Sequence, residues 1–178
     1  MYNLFSADGR TTPNQFWQGI ILLVGTQIIL YLGTAYISLW LMFLFFPLIY
    51  PYVCVYAKRL HDSGKTGWLF LTFFVGWMVV SMFMNIVLAG FSNIDAVAVD
   101  QELQLLGEDG DIDAILALLK EVIQADLLLS LVGVMAGNAI VGFPCASLRS
   151  DPHDNQYGPV IGGNASDGFQ PPNDDTYN

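Results

Sequence analysis

Three long stretches of this chain contain no Asp, Glu, Lys or Arg: residues 11–57, 66–94 and 127–148. Drawn out as one helix, the first would be about 70 Å long at about 1.5 Å per residue. A hydrocarbon core is only about 30 Å thick, so this stretch must fold back once, while each of the others matches one crossing. The pattern predicts four apolar helices near residues 15–36, 39–57, 68–90 and 127–148. A soluble bundle would need a polar face on each helix, and "IILLVGTQIILYL" and "FLTFFVGWMVVSMFM" offer almost none. The expected fold class is all-α: an integral membrane four-helix bundle with an external amphipathic helical insertion over 91–126 and a disordered C-terminal tail. Residues 1–159 would form the membrane domain and 160–178 a disordered cytoplasmic tail, rich in Pro, Gly, Asn and Asp.

Local signals sharpen the boundaries. In "TTPNQFW", Thr12 can cap a helix, Pro13 suits its first position and Gln15 completes a capping box. Phe16 and Trp17 are expected at headgroup depth as aromatic anchors. A short external turn near Gly33–Ser38 would join spans one and two. Pro47 and Pro51 each remove a backbone donor and are expected to kink span two. In the external segment, Ile112, Ile115, Leu116, Leu119, Val122 and Ile123 recur at helical spacing behind a capping Asp111. With no Gly or Pro from Asp111 to Val132, that helix is expected to run straight into span four and project beyond the bilayer. A shorter helix over Asp95–Leu106 would precede it, with "GEDGD" as the turn. "EDGDID" lacks the acids that an EF-hand requires before Gly110 and at its closing position.

Charge then sets the orientation. Only 12% of residues are charged, about half the usual share, and Arg10, Lys58, Arg59, Lys65 and Arg149 fall on one side of a four-span topology. Only Lys120 falls on the other. Because loops rich in Lys and Arg stay cytoplasmic, both termini are expected in the cytoplasm, with the first span retained as an anchor. The net charge of −10 comes from acids concentrated in the external segment and the tail, which argues against nucleic-acid binding. Cys54 and Cys145, each four residues before a basic residue, read as buried apolar side chains in a reducing setting.

The most polar stretch between spans is "YAKRLHDSGKTGWLF", residues 56–70. Lys58, Arg59 and His61 fall in the last turn of span two, where the helix dipole favours cations. Gly64 suits a left-handed C-terminal position, Thr66 can cap the next helix, and Trp68 belongs in the aromatic belt. Asp62 lies three residues from both Arg59 and Lys65 and can pair with either. The chemical alternative is a metal-dependent membrane enzyme built on His61-Asp62 and His153-Asp154. Adjacent His-Asp is a poor ligand spacing, so no catalytic, cofactor-binding or metal residues are assigned.

Taken together, "GRTTPNQFW", "KRLHDSGKTGW" and "DNQYGP" resemble the three landmarks of the domain-of-unknown-function 805 family of small bacterial inner-membrane proteins. The similarity falls on Gly9, Arg10, Phe16, Trp17, Arg59, Leu60, His61, Asp62, Gly64, Gly67, Trp68, Asn155, Tyr157 and Gly158. The long 91–126 segment departs from the family pattern. What the resemblance implies is residence in the bacterial cell membrane, with no activity and no catalytic residues to carry over. All three landmarks lie on the side assigned to the cytoplasm, so Arg10, Arg59, His61, Asp62, Asn155 and Tyr157 are expected to meet as a polar cap. Gly64, Gly67, Trp17 and Trp68 are the turn and interface positions beside it. Gly133 and Gly137 give span four a GxxxG that favours close helix packing.

The expected function is that of a non-enzymatic scaffold or interaction protein of the membrane, in contact with lipid and with itself or another membrane protein. It needs no cofactor and no nucleic acid. The rival is a small transporter or channel for a neutral polar solute, with Pro47, Pro51, Gln27, Asn85 and Asn138 lining its path.

Overall fold

A computed structural model of the chain describes residues 4–161. From residue 162 onward, the tail expected to be disordered lies outside the described residues. The helices are α1 Pro13–Tyr36, α2 Phe45–Asp62, α3 Phe70–Ala89, α4 Ala96–Asp109, α5 Ile112–Ala125 and α6 Leu127–Ala146. Short 3₁₀ segments, Leu39–Leu44 and Gly67–Leu69, lead into α2 and α3. Among the described residues there is no strand, and a single bridge between Asn155 and Gly158 closes the last turn. Four helical segments are long and apolar enough to cross a membrane: Pro13–Tyr36, Leu39–Asp62, Gly67–Ala89 and Leu127–Ala146.

The expected start of α1 is present in full. Thr12 accepts from the Gln15 amide, Gln15 returns the bond to the Thr12 amide, and Pro13 occupies the first turn. Pro47 also lies in a first turn, that of α2, where no intrahelical donor is required. Pro51 is the proline inside α2. The helix continues to Asp62, in line with the expected placement of Lys58, Arg59 and His61 in its last turn, and Lys58, Arg59 and Asp62 are buried there.

The four apolar segments pack in the order α2–α1–α6–α3, while α2 and α3 meet only sparsely. Burial concentrates at one end. Phe16, Ile20 and Leu23 of α1, Val55, Tyr56 and Leu60 of α2, Phe70 of α3 and Cys145 and Ala146 of α6 form the core. The flanks remain apolar and exposed, as at Ile21, Ile29, Met82, Phe83 and Ile140. Phe16 is not a surface anchor. It is fully buried, edge-on to Trp17 at 5.9 Å and to Tyr56 at 5.2 Å. Both cysteines are buried and free.

At the opposite end α4 and α5 form a helical pair, capped by Asp95 and Asp111 and turning at Gly110 with φ 69°. The expected continuity of α5 into α6 does not hold. Asp126 leaves helical geometry at φ −100°, ψ 16°, and its carboxylate accepts the Ser92 hydroxyl at 2.7–2.8 Å. This break lets α5 dock against the end of α1, where Gln124 Nε2 donates to the Ala35 carbonyl at 2.6 Å and Lys120 Nζ to that of Tyr36 at 3.5 Å. A long interruption-free sequence allowed one helix; the chain instead departs from it at the single residue Asp126.

Candidate functional site: a buried arginine–aspartate cluster

Asp62 ends α2, and its side chain is almost wholly enclosed. Arg10, just ahead of α1, places Nε 3.1 Å from Oδ1. Arg59, one turn earlier on α2, places Nη1 on Oδ2, and the Ser150 hydroxyl donates to the same oxygen. The two arginine side chains are 1% and 0% exposed. Enclosing charge is costly unless it is paired and hydrogen-bonded, and here one carboxylate bridges two guanidiniums.

The remaining guanidinium donors satisfy helix ends. The last carbonyls of a helix have no intrahelical partner, and apolar surroundings supply no water to replace one. Arg59 Nη2 donates to the carbonyls of Ala146, at 3.0 Å, and of Leu148, closing the end of α6. Arg10 Nη2 donates to the carbonyls of Asp62 and Asp151, and its Nη1 to that of His153 at 2.8 Å. On α2, the Leu60 carbonyl accepts from the Ser63 and Lys65 amides and the His61 carbonyl from Gly64. Asn155 Nδ2 also reaches the His61 carbonyl at 3.1 Å, and the Asp151 amide reaches that of Asp62 at 2.7 Å. Two helix ends and two loops are therefore joined by two arginines. Arg59 Nε alone, among the buried side-chain nitrogens and oxygens of the described residues, has no partner.

The His61 ring lies parallel to the Tyr157 ring, with centroids 3.8 Å apart and 3° between planes, and its Nδ1 is 3.3 Å from the Gly9 carbonyl. Gly67 makes room for it: a methyl group there would lie 2.9 Å from His61 Nε2. Gly64 takes the left-handed conformation at φ 71° that ends α2. Trp68 is exposed, and Trp17 packs half-buried against Gly142. Gly133 and Gly137 face α3, against Leu88 and Ser81, so the GxxxG is used inside the chain. Asp62 pairs with Arg10, 52 residues away, as well as with Arg59. Ser150 and Asp151 were missed by sequence reasoning, although polar residues immediately after an apolar helix are a usable signal. The His153 amide and the Asn155 side chain hold the Asp151 carboxyl below its usual range.

Residues 4–95 match the family described as protein of unknown function (DUF805). The chain belongs to that family. No curated protein and no solved structure matches it. The matched part of this DUF805 member carries Arg10, Arg59, His61 and Asp62. Ser150, Asp151, Asn155 and Tyr157, which complete the cluster, lie beyond it. Chemically the arrangement is a set of donors and acceptors matched to one another except at Arg59 Nε. His61 and His153 differ in setting, the first stacked and half-buried, the second 86% exposed beside Asp151. No group of three or more His, Cys, Asp or Glu able to hold a metal occurs among the described residues.

Proposed function

We propose that this DUF805 member is a multi-pass protein of the bacterial inner membrane, with both termini cytoplasmic, acting as a non-enzymatic scaffold or interaction protein. The observation that carries this reading is the occupation of Asp62. A carboxylate that already accepts from Arg10, Arg59 and Ser150 is poorly placed to move protons or bind substrate. Its work is to seal the inner end of a four-helix bundle. Interaction would fall to the opposite end, where α4 packs on α5 and leaves Val97 and Leu105 exposed. The rival reading, a carrier for a neutral polar solute, has Gln27, Asn85 and Asn138 in its favour. Against it, the space they border has mostly aromatic and aliphatic walls.

Two measurements test the proposal. Reporter fusions after residue 178 and at Gly110 should report cytoplasm and periplasm respectively. A photo-crosslinking residue at Val97 or Leu105 should yield a discrete adduct in cells. A periplasmic C-terminus, or recovery of a monodisperse protein without detergent, would overturn the topology. Solute flux in proteoliposomes that Asn138→Leu abolishes would replace the scaffold by the carrier.

A further inference from the structure

The cluster leaves one large feature unused. A cavity of about 470 Å³ lies among the four apolar segments, within the range of about 300–1,000 Å³ common for small-molecule sites. Tyr31, Phe45, Phe74 and Trp77 contribute aromatic surface, and α2 and α3, which both line the space, meet only sparsely.

Its polar wall is specific. Tyr52 donates its hydroxyl to Gln27 Oε1 at 3.1 Å, and Asn138, 4% exposed, donates Nδ2 to the same oxygen at 3.4 Å and to the Val134 carbonyl at 2.9 Å. Gln27 is thereby fixed through its oxygen, while its amide nitrogen donates to no described residue. The hydroxyls of Ser81 and Ser130, which also line the cavity, are likewise without a described partner. In hydrocarbon, unmatched polar groups of this kind cost free energy that a ligand can recover. Among the described residues, no Asp, Glu, Lys, Arg or His lines the space, so a charged headgroup would enter without a counter-charge.

We propose that this cavity binds an uncharged lipid-soluble molecule, its acyl chain or ring against the aromatic wall and its hydroxyl or carbonyl group against Gln27, Ser81 and Ser130. Entry is lateral, between α2 and α3, directly from the bilayer. A second copy of this chain is a poorer occupant. The exposed flanks it would insert, such as those bearing Ile21, Ile29 and Met82, offer no partner for these groups. The inference rests on the membrane reading above.

The test uses the full chain purified in mild detergent, with 1,2-dioctanoylglycerol as the probe and dioctanoyl phosphatidic acid as its charged counterpart. Native mass spectrometry should give one neutral probe per chain, and a saturating dose should raise the unfolding midpoint by about 2–4 °C. The double variant Ser81→Ala, Ser130→Ala keeps the cavity's shape and should weaken binding about tenfold, roughly the value of one or two hydrogen bonds. Ile49→Trp narrows the space from α2 and should abolish binding in protein that still unfolds cooperatively. No binding by the parent chain, equal binding of the phosphatidic acid, affinity unchanged in both variants, or a dimer that excludes the probe would each overturn the proposal. Recovery in the aqueous fraction after alkaline carbonate extraction would instead sink the membrane reading. Membrane retention without probe binding would sink only this inference.

Discussion

The two ends of the molecule solve the same problem by different means. At the Asp62 end, the terminal carbonyls of α2 and α6 are met by arginines whose side chains are 1% exposed or less, reaching across 52 and 87 residues of sequence. At the other end, the α1 carbonyls are met by the neutral amide of Gln124 and, at the limit of hydrogen-bond length, by Lys120. Asp95 and Asp111 there act locally, capping α4 and α5 through residues two or three positions away, and Asp126 accepts from the neutral Ser92 hydroxyl. A buried pair gains or loses several kcal/mol when one partner is removed, whereas a solvated cap is worth about 1 kcal/mol. The charge-rich α4–α5 segment is therefore the less consequential one. The three charges of the Arg10–Asp62–Arg59 cluster are expected to carry more of the fold than the many acids of α4 and α5.

The sharpest way to break this comparison is Asp62→Ala, which strands two guanidiniums. A loss of about 3–5 kcal/mol is expected, read from denaturant unfolding in mild detergent. A change within about 0.5 kcal/mol would show the cluster to be as dispensable as a surface pair. Next comes Gly67→Ala, whose methyl would press on His61 Nε2 at 2.9 Å and on Ala57 Cβ at 3.2 Å. Overpacking of this kind costs about 1–3 kcal/mol. Most of that cost should vanish in a His61→Ala background, since residues in contact are energetically coupled. An undiminished penalty would place the strain elsewhere.

Gln124→Ala at the opposite end removes one hydrogen bond and should cost about 0.5–1.5 kcal/mol. A loss as large as that of Asp62→Ala would erase the contrast between the ends. The smallest effect belongs to Asp151, whose carboxyl is held below its ordinary value of 3.8 by the His153 amide, then by Asn155. A depressed folded-state value contributes stability above the ordinary pKa that fades as pH falls through the depressed one. Asp151→Asn should accordingly unfold slightly earlier than the parent at neutral pH, with the gap closing below about pH 3.8. A gap that is constant with pH would remove the charge from the explanation.

Local chemistry made much of this legible in advance. The Thr12–Gln15 capping box, the left-handed Gly64, the Asp111 cap and the four apolar helices all depend on residues within a turn or on hydropathy summed over about 20 positions. Where the reading failed, the deciding contact was distant. Phe16 looked like a surface anchor because its sequence neighbours are polar, yet Tyr56 and Trp17 enclose it. At the α5–α6 break, Asp126 holds Ser92, 34 residues away. Asp62 had an evident partner in Arg59, but Arg10 could be ranked above Lys65 only in three dimensions.

Hydropathy and local stereochemistry act over short stretches, so the chain's linear order was enough to determine an all-helical protein with four apolar segments and charged turns. Which charges are buried together, which helix end each arginine closes, and the half-polar cavity around Gln27 were decided by tertiary packing. Those features depend on desolvating groups from separate segments at one point, and no single segment carries that information.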